Sequence, residues 1–292
     1  MFQKYYQIAK KLFVILVNSP IFLFKRVFFE LRYLFLVPKL PIINKKIRGV
    51  SFEFDFMLSP QVKKMYAGSY QPIITETLKK YLKKGDTFID VGANIGFFSA
   101  VAAGLVGEQG QVHSFEPVPE YFNRLAKLAK NNGQYRIYAN QCAVGEQETS
   151  AKIYVGSPPN IGNSSLMQPY FKEADMSKVK VVDVLVRRLD KYIEEKGLKN
   201  VKLIKIDVEG FEFSALKGMS GFLEDCLKKG SGPVIVCEVF PGLYSVLEYN
   251  VKDIFEYMKS FSYIPFEILN PKKRITSGER GLGDILFKFQ KI

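Results

Sequence analysis

Asp90-Val-Gly92-Ala-Asn94-Ile-Gly96 is the stretch that decides the fold, because it joins an apolar strand to an apolar helix through two glycines. The residues before it, Thr-Phe-Ile, predict a buried strand, and those after it, Phe-Phe-Ser-Ala-Val-Ala-Ala, predict a helix. A strand, a glycine turn and a helix form the unit at which an open α/β sheet presents backbone N–H groups to a nucleotide.

The spacing within this turn indicates which ligand it holds. A dinucleotide fingerprint needs Gly-x-Gly-x-x-Gly, whereas here the first position is Asp90 and the sixth is Ile95. A carboxylate at the first position suits the cationic ammonium of S-adenosylmethionine, and glycines let the backbone approach a ligand closely. We therefore expect this cofactor to be held at Asp90, Gly92, Asn94 and Gly96. The alternative is a glycine-rich turn without a ligand.

A second acidic residue favours the same cofactor. Gln111-Val-His-Ser-Phe-Glu116 predicts the next strand, with Glu116 at its end. A carboxylate at that place can accept the hydroxyls of a ribose, although a solvated glutamate capping the following helix is the alternative. The only histidine, His113, lies inside this strand, and we expect it to be a buried core residue and not a catalytic base.

With these residues the chain resembles the FkbM family of S-adenosylmethionine-dependent methyltransferases. The resemblance runs from about Gly68 to the C-terminus. Where members of the family often have a glutamate this chain has Gln71, so that position receives no role. Four blocks carry the resemblance: Gly85 to Ser99, Ser114 to Pro119, Asn140 to Gly145, and Leu203 to Glu212.

The alternation of strand and helix patterns along the chain predicts an α/β fold. The resemblance implies a doubly wound, seven-stranded, Rossmann-like class I methyltransferase sheet whose last strand is antiparallel. Residues 151–155 and 179–186 predict an inserted hairpin. We expect residues 1–60 to be a basic, aromatic-rich N-terminal helical extension and residues 61–292 to be the methyltransferase domain. The seven sheet strands are predicted at 87–91, 111–116, 135–140, 202–208, 234–239, 265–269 and 284–289.

Acidic residues gather where the fourth and fifth strands of this sheet end, the edge at which such sheets do chemistry. A hydroxyl acceptor must lose a proton, and we expect Asp207 to take it or to bind the hydroxyl. Lys205, on the same strand face, is expected to pair with Asp207. Together with Glu209 they form the predicted catalytic group, the alternative being a structural ion-pair network. Asp207 and Glu238 offer oxygen ligands that suit a bridging metal such as Mg²⁺. The sequence indicates no third ligand, so whether a metal binds there is left undecided.

The turn after the third strand, Asn140 to Gly145, is expected to contact the adenine of the cofactor. Ala143 is small enough to admit the ring. An ordinary β-to-α turn that ends at Gly145 is the alternative.

Positive charge is concentrated at the N-terminus. The chain carries +13, and residues 1–48 contain ten basic residues and one acid. The near-neutral remainder argues against a nucleic-acid partner. The longest uncharged run there, 12–24, is too short to span a bilayer and lacks a signal-peptide cleavage site. Mixed basic and aromatic residues favour peripheral membrane contact through residues 1–40, or packing within the chain or in a homo-oligomer.

The predicted function is transfer of a methyl group from S-adenosylmethionine to a hydroxyl of a sugar, glycolipid or related small molecule. Three cysteines without metal-ligand spacing favour a reduced compartment, so the expected location is the cytoplasm, with peripheral contact at the inner face of the membrane. Two alternatives remain. One is a protein methyltransferase on the same fold, and the other is a non-catalytic scaffold that binds the cofactor at a membrane.

Overall fold

The computed structural model describes residues 41–155, 164–165, 179–244, 249–276 and 281–291. The expectations for residues 1–40 and for the loop of the inserted hairpin lie outside these ranges. The described residues divide into two compact units. The smaller contains residues 41–43 and 54–72, and the larger contains residues 44–53 and the described chain from residue 73 onward.

The larger unit is built on a seven-stranded sheet, as predicted. Five adjacent strands, which reach one edge of the sheet, are parallel. The last strand, β13 (Gly283–Phe289), runs antiparallel to both of its neighbours, as expected. Every residue of β3 (Thr87–Val91) is buried, because helices cover both faces of a sheet of this kind. In order across the sheet the strands are β12 (Tyr263–Glu267), β13 (Gly283–Phe289), β11 (Val234–Val239), β10 (Val201–Ile206), β3 (Thr87–Val91), β4 (Gln111–Phe115) and β5 (Arg136–Asn140).

A second, four-stranded sheet contains the inserted hairpin. Its two long strands pair antiparallel over their whole length, from Thr149 opposite Val186 to Val155 opposite Lys180, which confirms the predicted pairing. In order across the sheet the strands are β6 (Ala143–Val144), β9 (Lys180–Arg187), β7 (Thr149–Val155) and β8 (Ser164–Ser165).

The helices differ in how much of their surface they bury. The apolar helix that follows the glycine turn is buried at eight of its ten positions, whereas the helix from Pro119 buries only one stripe. Within the described residues no helix is long and apolar enough to cross a membrane. The helices are α1 (Pro60–Ala67), α2 (Pro72–Tyr81), α3 (Phe97–Val106), α4 (Pro119–Asn131), α5 (Leu189–Glu195), α6 (Glu212–Lys217), α7 (Ser220–Lys229), α8 (Pro241–Tyr244) and α9 (Val251–Ser260).

A β-hairpin lies in the segment that was predicted as a helical extension. Its strands are β1 (Ile42–Ile47) and β2 (Val50–Asp55), and β2 alternates buried and half-buried residues because its apolar side chains recur with a period of two. In the larger unit, the ring of Phe52 lies edge-on to Phe97, 5.9 Å between centroids. Residues 42–47 and 50–55 are therefore strands, where a helix was predicted. The two compact units also meet at other places in the sequence than the predicted boundary after residue 60.

The smaller unit is organised around α1. The hydroxyl of Ser59 caps this helix by accepting a hydrogen bond from the backbone of Gln61 at 3.0 Å. The ring of Tyr66 packs edge-on to Phe54, 5.2 Å between centroids. Gln71 belongs to this unit, and its buried side-chain oxygen makes no hydrogen bond within the described residues.

Candidate active site

Asp90 lies at the carboxyl edge of the sheet, fully buried near the end of β3. One carboxylate oxygen, Oδ2, accepts a hydrogen bond from the Ser99 hydroxyl at 2.6 Å, and Ser99 in turn accepts one from Ser114 at 2.8 Å. Burial raises the pKa of Asp90, against the opposing charge of Lys205 and the bond from Ser99. The second oxygen, Oδ1, has no hydrogen-bond partner among the described residues. A buried carboxylate oxygen without a donor fits a cationic ligand such as an ammonium.

The two glycines of the turn are required by packing inside the protein. Gly92 has a φ of 80°, and a Cβ there would lie 1.9 Å from the backbone oxygen of Asp207. A Cβ on Gly96, whose φ is 85°, would lie 2.8 Å from Leu128. The sequence interpretation explained both glycines by a ligand. The structure gives a different reason for each, and their contact with the cofactor stays a prediction.

Glu116 holds the glycine turn in place. Its two carboxylate oxygens accept hydrogen bonds from the backbone N–H of Asn94 at 2.8 Å and from that of Val118 at 2.9 Å. Burial raises the pKa of Glu116 to about 7, since the cost of removing the charge from water exceeds the effect of these two bonds. A carboxylate has about four acceptor positions, so two remain for hydroxyls of a ribose.

Lys205 and Asp207 form the pair that the sequence predicted. The ammonium of Lys205 lies 2.8 Å from Oδ2 of Asp207, and its side chain is only 3% exposed. In the sheet, Lys205 is the register neighbour of Asp90 on β3. The charge of Lys205 therefore acts on two carboxylates, that of Asp90, predicted to bind the cofactor, and that of Asp207, predicted to act in catalysis.

Three half-buried carboxylates meet where β10 and β11 end. Carboxylate oxygens of Asp207, Glu209 and Glu238 lie within 4.8 Å of one another. Burial, followed by the charge of Asp207, raises the pKa of Glu238 to about 9. Glu209 is the third oxygen ligand that the sequence reasoning lacked, so this is the described group that could hold a cation such as Mg²⁺. The sequence could have indicated this third ligand, because Glu209 follows Asp207 by only two residues.

Glu212 supports the loop that carries these carboxylates. It is 2% exposed and accepts hydrogen bonds from the backbone of Gly210 at 3.0 Å and from the Tyr244 hydroxyl at 3.2 Å. Burial raises its pKa to about 7. Sequence reasoning did not foresee this role, because a glutamate in the first turn of a helix ordinarily faces water.

Two other residues named from the sequence have their observed partners elsewhere in the structure. His113 is a buried core residue, as predicted. Its ring nitrogens bond Tyr192 and Gln111, both at 2.9 Å, and burial lowers its pKa to about 4. Ala143 is buried in β6, where it pairs with Val186 of the second sheet. Its contact with adenine stays a prediction.

Comparisons with known proteins give a consistent result. Residues 90–265 match the family model described as Methyltransferase FkbM domain. The 31-O-demethyl-FK506 methyltransferase FkbM of Streptomyces tacrolimicus is 32% identical over 162 residues, covering 47% of this chain and 61% of that protein. The hexuronic acid methyltransferase AglP of Haloferax volcanii is 25% identical over 151 residues, covering 52% and 57%.

A relative with a different printed activity is also similar. The protein-L-isoaspartate O-methyltransferase of Methanococcus aeolicus is 30% identical over 149 residues, which cover 48% of this chain and 64% of that protein. The chain spans about three fifths of the length of the curated relatives it matches.

Proposed function

Because the chain belongs to the FkbM family of S-adenosylmethionine-dependent methyltransferases, we propose that it methylates a hydroxyl of a sugar, glycolipid or related small molecule. The observation that carries this proposal is the buried Lys205–Asp207 pair at the end of β10, beside the cofactor motif of β3. It puts a carboxylate at the edge of the sheet where an acceptor would meet the cofactor.

The residues of β3 and β4 would hold the cofactor. Asp90 offers its unpartnered buried oxygen to the ammonium group, and Glu116 offers its remaining acceptor positions to the ribose hydroxyls. Ala143 would contact the adenine. When bound, S-adenosylmethionine supplies a methyl group activated by a positive sulfonium.

The carboxylates at the end of β10 and β11 would orient the acceptor. Asp207, held by Lys205, accepts the hydrogen bond of the acceptor hydroxyl and then its proton. With a pKa of about 9, Glu238 is protonated at neutral pH, so it can donate a hydrogen bond to a second acceptor oxygen. Most of the acceleration comes from holding the hydroxyl and the methyl group in line.

A sugar acceptor agrees with the chemistry of this edge. Sugars present several neighbouring hydroxyls, and three half-buried carboxyl groups within 4.8 Å can bind more than one of them. Two of the relatives described above have names that agree with a hydroxyl acceptor, one a hexuronic acid methyltransferase and one a 31-O-demethyl-FK506 methyltransferase.

A second candidate acceptor is a protein carboxyl group. It is favoured by the similarity to the protein-L-isoaspartate O-methyltransferase of Methanococcus aeolicus. The cluster of acidic groups opposes it, because Asp207 and Glu209 would repel a carboxylate brought to this edge. A hexuronic acid can instead present one of its hydroxyls there.

Methyl transfer to fractionated cell extract separates these candidates. The purified protein is incubated with S-adenosylmethionine labelled in its methyl group, together with glycan, lipid, protein or nucleic-acid fractions. We expect label in glycan or glycolipid, resistant to mild base, and its loss with Asp207→Asn. Base-labile label in protein would support the carboxyl acceptor. No label in any fraction, from a protein that binds the cofactor, would support a non-catalytic scaffold.

We also propose that residues 1–40 bring the enzyme to the inner face of the membrane. The support is the basic and aromatic composition of this segment, since each basic residue near an anionic surface contributes about 1 kcal/mol. Full-length protein and a chain starting at residue 41 are compared by co-sedimentation with phosphatidylglycerol vesicles. We expect only the full-length protein to sediment, less so at high salt. Equal sedimentation of both would exclude this role for the segment.

A further inference from the structure

A basic cleft lies at the amino edge of the seven-stranded sheet, opposite the candidate active site. This edge is where β11 begins and where the antiparallel β13 ends. The cleft has a volume of about 270 Å³ and is lined by Lys228 and Lys229 of α7, by Lys291 after β13, and by Ser262 before β12. It belongs entirely to the larger unit.

The charge of the cleft is not balanced by its own walls. None of its lining residues is acidic. Lys228 has an exposed partner, Asp225, at 3.8 Å, and neither Lys229 nor Lys291 forms an ion pair within the described chain. The dipole of α7 favours lysines in its last turn, but it does not explain Lys291, which comes from another element. Lys291 lies beside the end of this helix, since its Cε is 3.9 Å from where a Cβ on Gly230 would be.

A serine hydroxyl in the same cleft is available to a ligand. Ser262 is 5% exposed, and its backbone N–H and carbonyl are bonded to Lys259 and Gln290. Its hydroxyl makes no hydrogen bond to any described residue. Because Ser262 lines the cleft, its hydroxyl can donate a hydrogen bond to a ligand bound there.

We propose that this cleft binds a phosphate group, carried by a phosphomonoester or by the head group of a phospholipid. Lysine ammonium groups bind phosphate as point charges, and a serine hydroxyl donates to a phosphate oxygen. Leu227, which is 42% exposed, and Phe289 add an apolar wall for the carbon part of such a ligand. The site is separate from methyl transfer and does not rest on the function proposed above.

Two probes distinguish the sources of the phosphate. Glycerol 3-phosphate is titrated into the full-length protein by calorimetry at low ionic strength, and co-sedimentation is measured with vesicles of phosphatidylcholine with and without phosphatidic acid. The variants are Lys229→Gln with Lys291→Gln, and Ser262→Ala. The matched control, Lys130→Gln with Lys180→Gln, removes two exposed charges elsewhere. Binding of cofactor is measured for each variant.

We expect saturable binding that weakens about tenfold in each cleft variant and less than twofold in the control, with cofactor affinity unchanged. If the cleft variants bind glycerol 3-phosphate more weakly in the calorimetry, the ligand is a soluble phosphomonoester. If they lose binding only to the vesicles with phosphatidic acid, the ligand is a phospholipid head group. If Ser262→Ala melts early, Ser262→Gly removes the same hydroxyl at a backbone φ of 64° that suits glycine. Equal losses in the cleft and control variants, or no binding of either probe, would overturn the proposal.

Discussion

Lys205 contacts Asp207 directly, with its ammonium 2.8 Å from Oδ2. The same residue is the sheet neighbour of Asp90, whose pKa its charge lowers against the effect of burial. A single buried cation thus compensates two acids, one predicted to bind the cofactor and one predicted to bind the acceptor. Loss of this cation would leave both acids without their shared partner.

Replacement of that cation is expected to destabilise the fold strongly. We predict that Lys205→Met lowers the free energy of unfolding by about 3–5 kcal/mol, because it leaves buried carboxylates uncompensated. Urea denaturation measures the change. Adding Asp207→Asn should recover part of the loss. Lys217→Gln, which breaks the half-exposed pair with Glu146, is the control and should cost less than about 1 kcal/mol. A small loss for Lys205→Met would contradict the shared-cation interpretation.

Cofactor affinity is expected to depend on the ionisation of Glu116. Its pKa is about 7 without ligand, and the ionised carboxylate is the better acceptor for ribose hydroxyls. Affinity should therefore rise with pH and be about tenfold higher at pH 8 than at pH 6, as measured by calorimetry. Glu116→Gln should bind more weakly and lose this dependence. An unchanged pH profile in Glu116→Gln would show that another group controls binding.

The stability of the ligand-free protein is expected to fall as pH rises. Glu116 and Glu212 hold their protons more tightly in the folded chain, with pKa values of about 7, than when unfolded. This stabilisation is full below the unfolded pKa and is lost as pH rises through 7, by roughly 1 kcal/mol each between pH 6.5 and 8.5. Glu238 acts in the same direction. The lowered pKa of His113 makes stability rise with pH between about 4 and 6.5, and above pH 6.5 it adds no further change.

Thermal melts across that range provide the measurement. The Glu212→Gln variant keeps the size of the side chain and should show a shallower decline. A melting temperature that rises from pH 6.5 to 8.5 would mean that these acids are ionised in the folded protein.

Turnover is expected to need a carboxylate and not the histidine. Asp207→Asn should lose about a hundredfold or more in kcat while still binding S-adenosylmethionine. His113→Gln should keep most of its turnover, because the ring lies in the core with both nitrogens bonded. The assay is methyl transfer to whichever extract fraction accepts label. An inactive His113→Gln variant with normal folding and cofactor affinity would contradict this assignment.

The sheet could be predicted because each strand leaves a local signal. Buried parallel strands such as β10 and β11 are mostly apolar runs, and helical segments separate them along the chain. The hairpin of residues 42–55 was missed, although Val50, Phe52 and Phe54 alternate with polar residues in the strand period. The helical prediction rested on the basic and aromatic composition before residue 49, and it was extended to residue 60 without regard to this alternation.

The site could be predicted only where partners are close in sequence. Lys205 and Asp207 share a strand face, so their pairing followed from the period of two. The hold of Glu116 on the backbone of Asn94, and the crowding of Gly92 against Asp207, depend on how neighbouring loops approach. Such contacts between separate loops leave no local pattern in the sequence.

Hydrogen bonds between residues 44–53 and the rest of the larger unit limit where this chain can be cut. The side chain of Asn132, 1% exposed, bonds the backbone of Ser51 in both directions, at 2.7 and 2.8 Å. A recombinant chain trimmed to the region that resembles its family would leave that amide and the ring of Phe97 uncovered. The portable module for fusion or domain exchange therefore begins before residue 44, upstream of the first recognisable motif.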